Sequence, residues 1–188
     1  PDDYTEAYYK VGFAWKLRPL ELAILRDLCI WREVESRARD IPRNRLIKEP
    51  SLFEMARKQP QDAAHLQRIE DIPSRTLRND TETLLDIIRT SAATDSATWP
   101  ARLDAPLAPS DAPLMKTLKK YVREAAEALN LPPELLIRKK EYEAIVRSGM
   151  KGGIYVLPER LLGWRYEVIG KGLLLVAENP VFDDIESL

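Results

Sequence analysis

Apolar residues that return every three or four positions, in one stretch after another, commit this chain to packed helices. From Pro19 onward Leu22, Leu25, Leu28, Trp31, Val34 and Ala38 read as one stripe along a helix. Pro19 suits the first helical turn, where its missing N–H costs nothing. Pro42 closes the helical region and stiffens the connector that runs to Lys48. The same period predicts a second helix from about Pro50 to Lys58, with Leu52, Met55 and Ala56 inward, and a third over Ala63 to Ile69. After an interruption at Pro73, a fourth is expected to start near Asp80, a good N-cap, and to bury Leu84, Leu85, Ile87 and Ile88. Helices of this number with short joints make one small bundle.

Residues 93–112 break the pattern. They are rich in Ala, Ser and Thr and hold Pro100, Pro106 and Pro109, a density that favours an extended, semi-stiff linker tacked down by Trp99 and Leu103. Helical period resumes over residues 113–177, where Leu118, Tyr121, Val122, Ala125, Ala128 and Leu129 share a face that Asn130 and Pro132-Pro133 end. A turn at Glu134–Leu136 leads to a helix over Lys139–Ser148, and Gly152-Gly153 reads as a turn. Ile154-Tyr155-Val156 is the one strand-like stretch, too short to seed a sheet. The fold class is therefore all-α, two small helical bundles joined by a proline-rich linker, with an acidic tail at 178–188. Residues 1–16 form a leader whose Tyr4, Tyr8, Tyr9, Phe13 and Trp15 need a surface to pack on.

Charge selects no partner globally, since 29 Lys and Arg face 30 Asp and Glu. Its distribution is uneven: residues 111–172 carry 12 basic and 8 acidic side chains, and residues 173–188 carry 4 acidic and no basic ones. One cysteine, Cys29, excludes an internal disulfide and suits a reducing cytoplasm. Its helical spacing from Leu22 and Leu25 makes it a small buried hydrophobe rather than a nucleophile. No basic-then-apolar signal opens the chain, and no apolar run approaches the roughly 18 residues of a membrane span. Pro1 in place of Met reads as a fragment or a processed product.

The succession of Trp31-Arg32-Glu33, Ala38-Arg39-Asp40-Ile41-Pro42-Arg43, Leu52-Phe53-Glu54-Met55-Ala56 and Leu84-Leu85-Asp86-Ile87-Ile88 resembles the HRDC module shared by RecQ-type helicases and ribonuclease D, and the ribonuclease D version most closely. Pro132-Pro133-Glu134-Leu135-Leu136, Gly163-Trp164-Arg165 and the apolar run after them resemble the second, C-terminal HRDC-like domain of that family. The resemblance covers about residues 17–177. It implies a leader (1–16) handed over from a preceding nuclease domain, a first HRDC domain (17–92) and a second HRDC-like domain (113–177). It further implies a 3′–5′ exoribonuclease as parent, with RNA such as tRNA precursors as partner and the parent's own nuclease domain as a second partner. A helicase accessory domain fits Gly163-Trp164-Arg165 less well.

In that family, carboxylates hold paired divalent ions about 3.5–4 Å apart to clamp the attacking and leaving oxygens. They come from an Asp-x-Glu on a strand, a central Asp and a late Tyr-x-x-x-Asp. No position here is assigned to that set. The chain is thus expected to be no enzyme by itself, to need no cofactor, and to leave any divalent metal to the missing nuclease domain. His65 has no second His or Cys beside it and reads as an inert helix residue. Gly149, Gly152, Gly153 and Gly163 match no phosphate-loop spacing.

Basic surface remains. Arg39, Arg43, Arg45 and Lys48 bracket Pro42, where a stiff Arg-rich connector can present forked donors to phosphate; the competing reading is a solvated loop that satisfies a helix C-terminus. Lys116, Lys119, Lys120 and Arg123 recur on one helix side, and Arg138-Lys139-Lys140 opens the next helix; both also fit ordinary polar faces. Trp31 and Trp164 are expected in the cores, with their neighbours Arg32 and Arg165 at the surface. Two functions follow: an RNA-positioning accessory region, or a protein-docking helical module with no nucleic-acid affinity of its own.

Overall fold

The helical period that starts at Pro19 is realised as α1, Pro19–Ala38, in the computed structural model, which describes residues 3–150 and 152–180. Its buried face is not the expected one. Leu22, Leu25, Cys29, Arg32 and Ser36 point inward, flanked by Leu28 and Glu33. Val34 is 48% exposed, Ala38 is exposed and Trp31 is half-buried. The reason is geometric. At 3.6 residues per turn each step of three falls about 60° short of a full rotation, so a run of threes walks round the helix, whereas alternating threes and fours hold one face.

The chain divides into two compact units, residues 1–105 and 106–188. In the first, α1 packs against α3 (Glu49–Lys58) and α5 (Ser74–Ala92), with the short α2 (Arg43–Leu46) and α4 (Ala63–Gln67) between them. Leu52, Met55 and Ala56 of α3 are fully buried, as their spacing predicts. Each large apolar side chain so placed contributes about 1.5–3 kcal/mol. The fourth long helix starts at Ser74, straight after Pro73, and Asp80 lies buried inside it rather than capping it. Leu84 and Ile88 are buried, while Leu85 and Ile87 are half-buried. The leader forms two 3-10 turns, Ala7–Lys10 and Ala14–Lys16, and sends Tyr8, Val11 and Ala14 into this core. Trp99 Nε1 donates to Thr94 Oγ1 at 3.0 Å and Leu103 packs on the same core, so the start of the proline-rich stretch is tacked down.

The second unit holds α6 (Ala112–Ala128), α7 (Pro133–Leu136), α8 (Lys139–Gly149) and α9 (Lys171–Glu178) around Leu118, Val122, Ile145, Leu161, Ile169 and Leu173. On α6 Ala126 is buried, whereas Ala128 and the C-cap residue Leu129, at the helix end, are exposed. Ile154-Tyr155-Val156 forms no strand: Ile154 and Val156 are exposed, and the Val156 N–H donates to Ser148 Oγ at 2.8 Å. Gly152 and Gly153 make the turn before it with φ of 99° and 72°. Most of the expected acidic tail, residues 181–188, lies outside the described residues. No strand occurs among the described residues, and the fold is all-α.

One local design appears twice. α1 ends with Asp40 at φ 48°, the Ile41 N–H returning to the Ser36 carbonyl at 2.9 Å; α6 ends with Asn130 at φ 53°, the Leu131 N–H returning to the Ala126 carbonyl at 2.9 Å. This six-to-one closure around a left-handed residue satisfies carbonyls that the helix leaves open. Pro42 or Pro132 follows, then a four-residue helix that buries Leu46-Ile47 or Leu136-Ile137, then the next long helix.

Candidate nucleic-acid interface

The basic connector of the first unit folds largely onto its own carboxylates. Arg39 grips Asp80 through two parallel bonds, Nη1 to Oδ2 at 2.9 Å and Nη2 to Oδ1 at 2.6 Å, and its Nε donates to Glu35 at 2.8 Å. The hydrogen bonds that Arg39 donates to Asp80 lead in raising the already high guanidinium pKa further. Such a fork on a carboxylate that is 5% exposed clasps α1 to α5 and commits three of the five guanidinium donors to carboxylates. Arg43 Nη1 sits 3.2 Å from Glu33 Oε1, and Arg37 Nη1 sits 2.7 Å from Glu33 Oε2. Burial works against the Glu33 charge, but hydrogen bonds from Arg37 and Arg43 outweigh it and hold the carboxyl below its ordinary range. These groups line an open cleft of about 500 Å³ beside Pro42 whose cations are already neutralised. Lys48 reaches Asp71 at 3.5 Å with both side chains more than half exposed, a weak tether. Arg45 alone of the four expected residues is exposed without a carboxylate partner among the described residues.

In the second unit Lys116, Lys119, Lys120, Lys139 and Lys140 are exposed, on the outer side of α6 and in the first turn of α8. Arg138 caps α8 by donating its backbone N–H to Glu141 Oε2 at 2.7 Å. Glu141 is also held by a fork from Arg160, at 2.6 and 2.7 Å, and these bonds lower its pKa against a smaller opposing cost of burial.

Three expectations are reversed. Arg32, expected at the surface, is 1% exposed, its Nη2 standing 3.7 Å from both Glu33 and Glu49 while its Nε and Nη1 find no partner. Trp164, expected in a core, is 55% exposed. Gly163 before it takes φ 69°, which turns the indole outward, and Arg165 lies over the ring at 4.2 Å. Arg165 is half-buried and donates Nη2 to the Leu135 carbonyl at 3.3 Å, so it braces the 163–165 turn rather than standing free.

Cys29 is fully buried, and burial pushes its thiol up to about 12, which leaves no thiolate for chemistry. His65 bonds the α4 cap, its N–H and Nδ1 on Asp62 at 2.8 and 2.9 Å. The chain does hold an Asp-x-Glu, Asp80-Thr81-Glu82. It lies on a helix, with Asp80 buried on Arg39 and Glu82 exposed, so the two carboxylates do not share a face. A second, Asp184-Ile185-Glu186, lies outside the described residues. Among the described residues no three His, Cys, Asp or Glu side chains gather into a metal-holding group, and no helix is long and apolar enough to cross a membrane.

Comparison with known proteins gives a consistent picture. Residues 21–88 match the HRDC domain. Ribonuclease D of Pseudomonas paraeruginosa is 42% identical over 177 residues, a match that takes in 94% of this chain and 47% of that protein. Ribonuclease D of Bartonella henselae is 30% identical over 169 residues, covering 89% of this chain and 40% of that protein. Among solved structures, Escherichia coli RNase D, described as an exoribonuclease involved in structured RNA processing, superposes with a TM-score of 0.66 at 25% identity, over 96% of this chain and 49% of that one. The chain spans about half the length of the curated relatives it matches.

Proposed function

We propose, from the membership of residues 21–88 in the HRDC family and the match of the chain to the C-terminal HRDC region of ribonuclease D, that this protein is the nucleic-acid-binding accessory region of a ribonuclease D-like 3′–5′ exoribonuclease. It holds structured or 3′-ended RNA, such as a tRNA precursor, for a catalytic domain in the parent chain. Divalent metal and hydrolysis belong to that domain, in the cytoplasm, and this region carries no cofactor. The observation that carries the reading is a group of exposed cations that form no ion pair among the described residues, among them Arg45 in the first unit and Lys116, Lys119, Lys139 and Lys140 in the second. Contacts to phosphate need charge and reach, not a shaped pocket, and lysines on helix faces supply both.

The test is fluorescence anisotropy of a short labelled RNA across a salt series. Each phosphate neutralised on a single strand contributes a slope of about −0.7 in log K against log salt. Removing Lys116, Lys119 and Lys120 together flattens that slope without changing sequence preference, and so does removing Arg43, Arg45 and Lys48. Arg39→Gln leaves it unchanged, because its charge is already matched by Asp80 and Glu35. Absence of affinity at low salt overturns the reading in favour of a protein-docking module. That second function has its own support in Leu135, Leu162 and Trp164, each more than half exposed on the second unit.

A further inference from the structure

The expected clusters leave one built feature of the first unit unused. Between the two 3-10 turns of the leader, Phe13 adopts a left-handed backbone with φ 65° and stands 63% exposed, whereas Tyr8 is buried in the core and Trp15 is half-buried. Lys16 Nζ lies 4.7 Å from the centre of the Phe13 ring and 5.3 Å from that of Trp15. Beside them opens a cleft of about 520 Å³, within the range of roughly 300–1,000 Å³ that small-molecule sites occupy. Half-buried Phe53 of α3 lines it, and Arg18, Arg57 and Arg102 complete it.

The charges there are unbalanced. Arg18 is forked onto Glu21 at 2.7 Å, and Arg57 is paired with Glu54 at 2.8 Å. Among the described residues Lys16 and Arg102 are exposed and form no ion pair, Arg102 acting on Glu21 only at longer range. Four cations therefore face two carboxylates, and the two unpaired cations are both within the cleft that holds the exposed ring. A ring open to stacking, next to cations with no anion of their own, matches the recurring composition of single-strand recognition, in which bases stack on aromatic faces and basic groups follow the backbone.

We infer that this cleft takes one unpaired nucleotide of an RNA strand, its base stacked on Phe13 and its phosphate held by Lys16 and Arg102. The inference rests on the RNA-binding function proposed above and gives it a place on the first unit, separate from the connector around Pro42. Three segments far apart in sequence, residues 13–18, 53–57 and 102, supply the groups. A protein partner is the weaker occupant, because the cations would then need matching carboxylates, whereas a strand brings a phosphate with every base.

The 188-residue chain is titrated into a short labelled oligouridylate. Stacking on an aromatic side chain is worth roughly five- to 150-fold in affinity, so Phe13→Ala weakens binding by at least about fivefold. Phe13→Trp retains binding and adds tryptophan emission that saturating RNA quenches. The double change Lys16→Gln and Arg102→Gln reduces the salt slope by about 0.7, one single-strand phosphate. Thermal unfolding stays unchanged for the Phe13 variants, since the ring covers no core. Parent-like affinity in both Phe13→Ala and the double variant, with RNA still bound, overturns the inference alone, leaves the proposed function standing and assigns the cleft to a protein. No affinity in the parent chain overturns both.

Discussion

Replacing Arg39 should hurt the first unit more than replacing its partner Asp80, although the two changes break the same bonds. Arg39→Ala leaves the Asp80 carboxylate, 5% exposed, between α1 and α5 with no cation. An uncompensated buried charge of that kind costs about 3–5 kcal/mol. Asp80→Ala instead leaves Arg39 31% exposed, still 2.8 Å from Glu35 and open to water. What is lost is a pair of charge-assisted bonds whose net worth, discounted for solvent, comes to about 1–2 kcal/mol. The double variant strands no charge and should cost less than Arg39→Ala alone. For a domain of this size each kcal/mol lowers Tm by roughly 4–8 °C, so Arg39→Ala loses about 12 °C or more. Urea unfolding in a Trp164→Phe background assigns the fluorescence change to the first unit, which holds Trp15, Trp31 and Trp99. Equal losses in the two single variants, or a double variant that merely adds them, would refute the reasoning.

Further outcomes are expected. Glu21, Glu33 and Glu141 all have pKa values lowered from an ordinary 4.5, so they bind protons more weakly folded than unfolded. Their stabilisation is present above about pH 4.5 and is lost as pH falls through the folded values; Glu141→Gln should flatten that acid limb in the unfolding of the second unit. Gly172→Ala would place a Cβ inside contact distance of the Tyr121 phenol and should destabilise the second unit by about 1–3 kcal/mol, read from chemical denaturation. Labelled single-stranded RNA incubated with the chain and Mg²⁺ or Mn²⁺ should keep its length, and shortening in proportion to purified protein would contradict the assignment of hydrolysis to another domain.

The helices that bury apolar side chains were legible in the sequence; the faces that bury polar ones were not. α3 shows its Leu52, Met55 and Ala56 plainly, but the buried side of α5 includes Thr76, Asp80 and Ser91. Each is satisfied by a distant partner: Thr76 by the Leu46 carbonyl, Asp80 by Arg39, Ser91 by Asp27. The apolar period shows only polar residues there, so it points to a start at Asp80 where the helix begins at Ser74. The Arg39–Asp80 clasp was hidden for the same reason, because nothing local in the sequence announces a carboxylate on another helix. The cleft at Phe13 was hidden by distance along the chain. The doubled connector did leave a trace, Ile41-Pro42 before Leu46-Ile47 and Leu131-Pro132 before Leu136-Ile137, and comparing the two halves would have exposed it.

Cys29 gives the chain a built-in stopwatch. Its sulfur is sealed within α1, and a thiol held near 12 is inert to an alkylating reagent at neutral pH while the helix packs. Modification must wait for the first unit to open, so labelling speed under fast reclosure measures how seldom that happens, in the unaltered protein. Because the sequence has a single cysteine, the second unit contributes no signal. Bound RNA that engages the first unit should slow the clock in proportion to its occupancy, and RNA held by the second unit alone should leave its rate untouched.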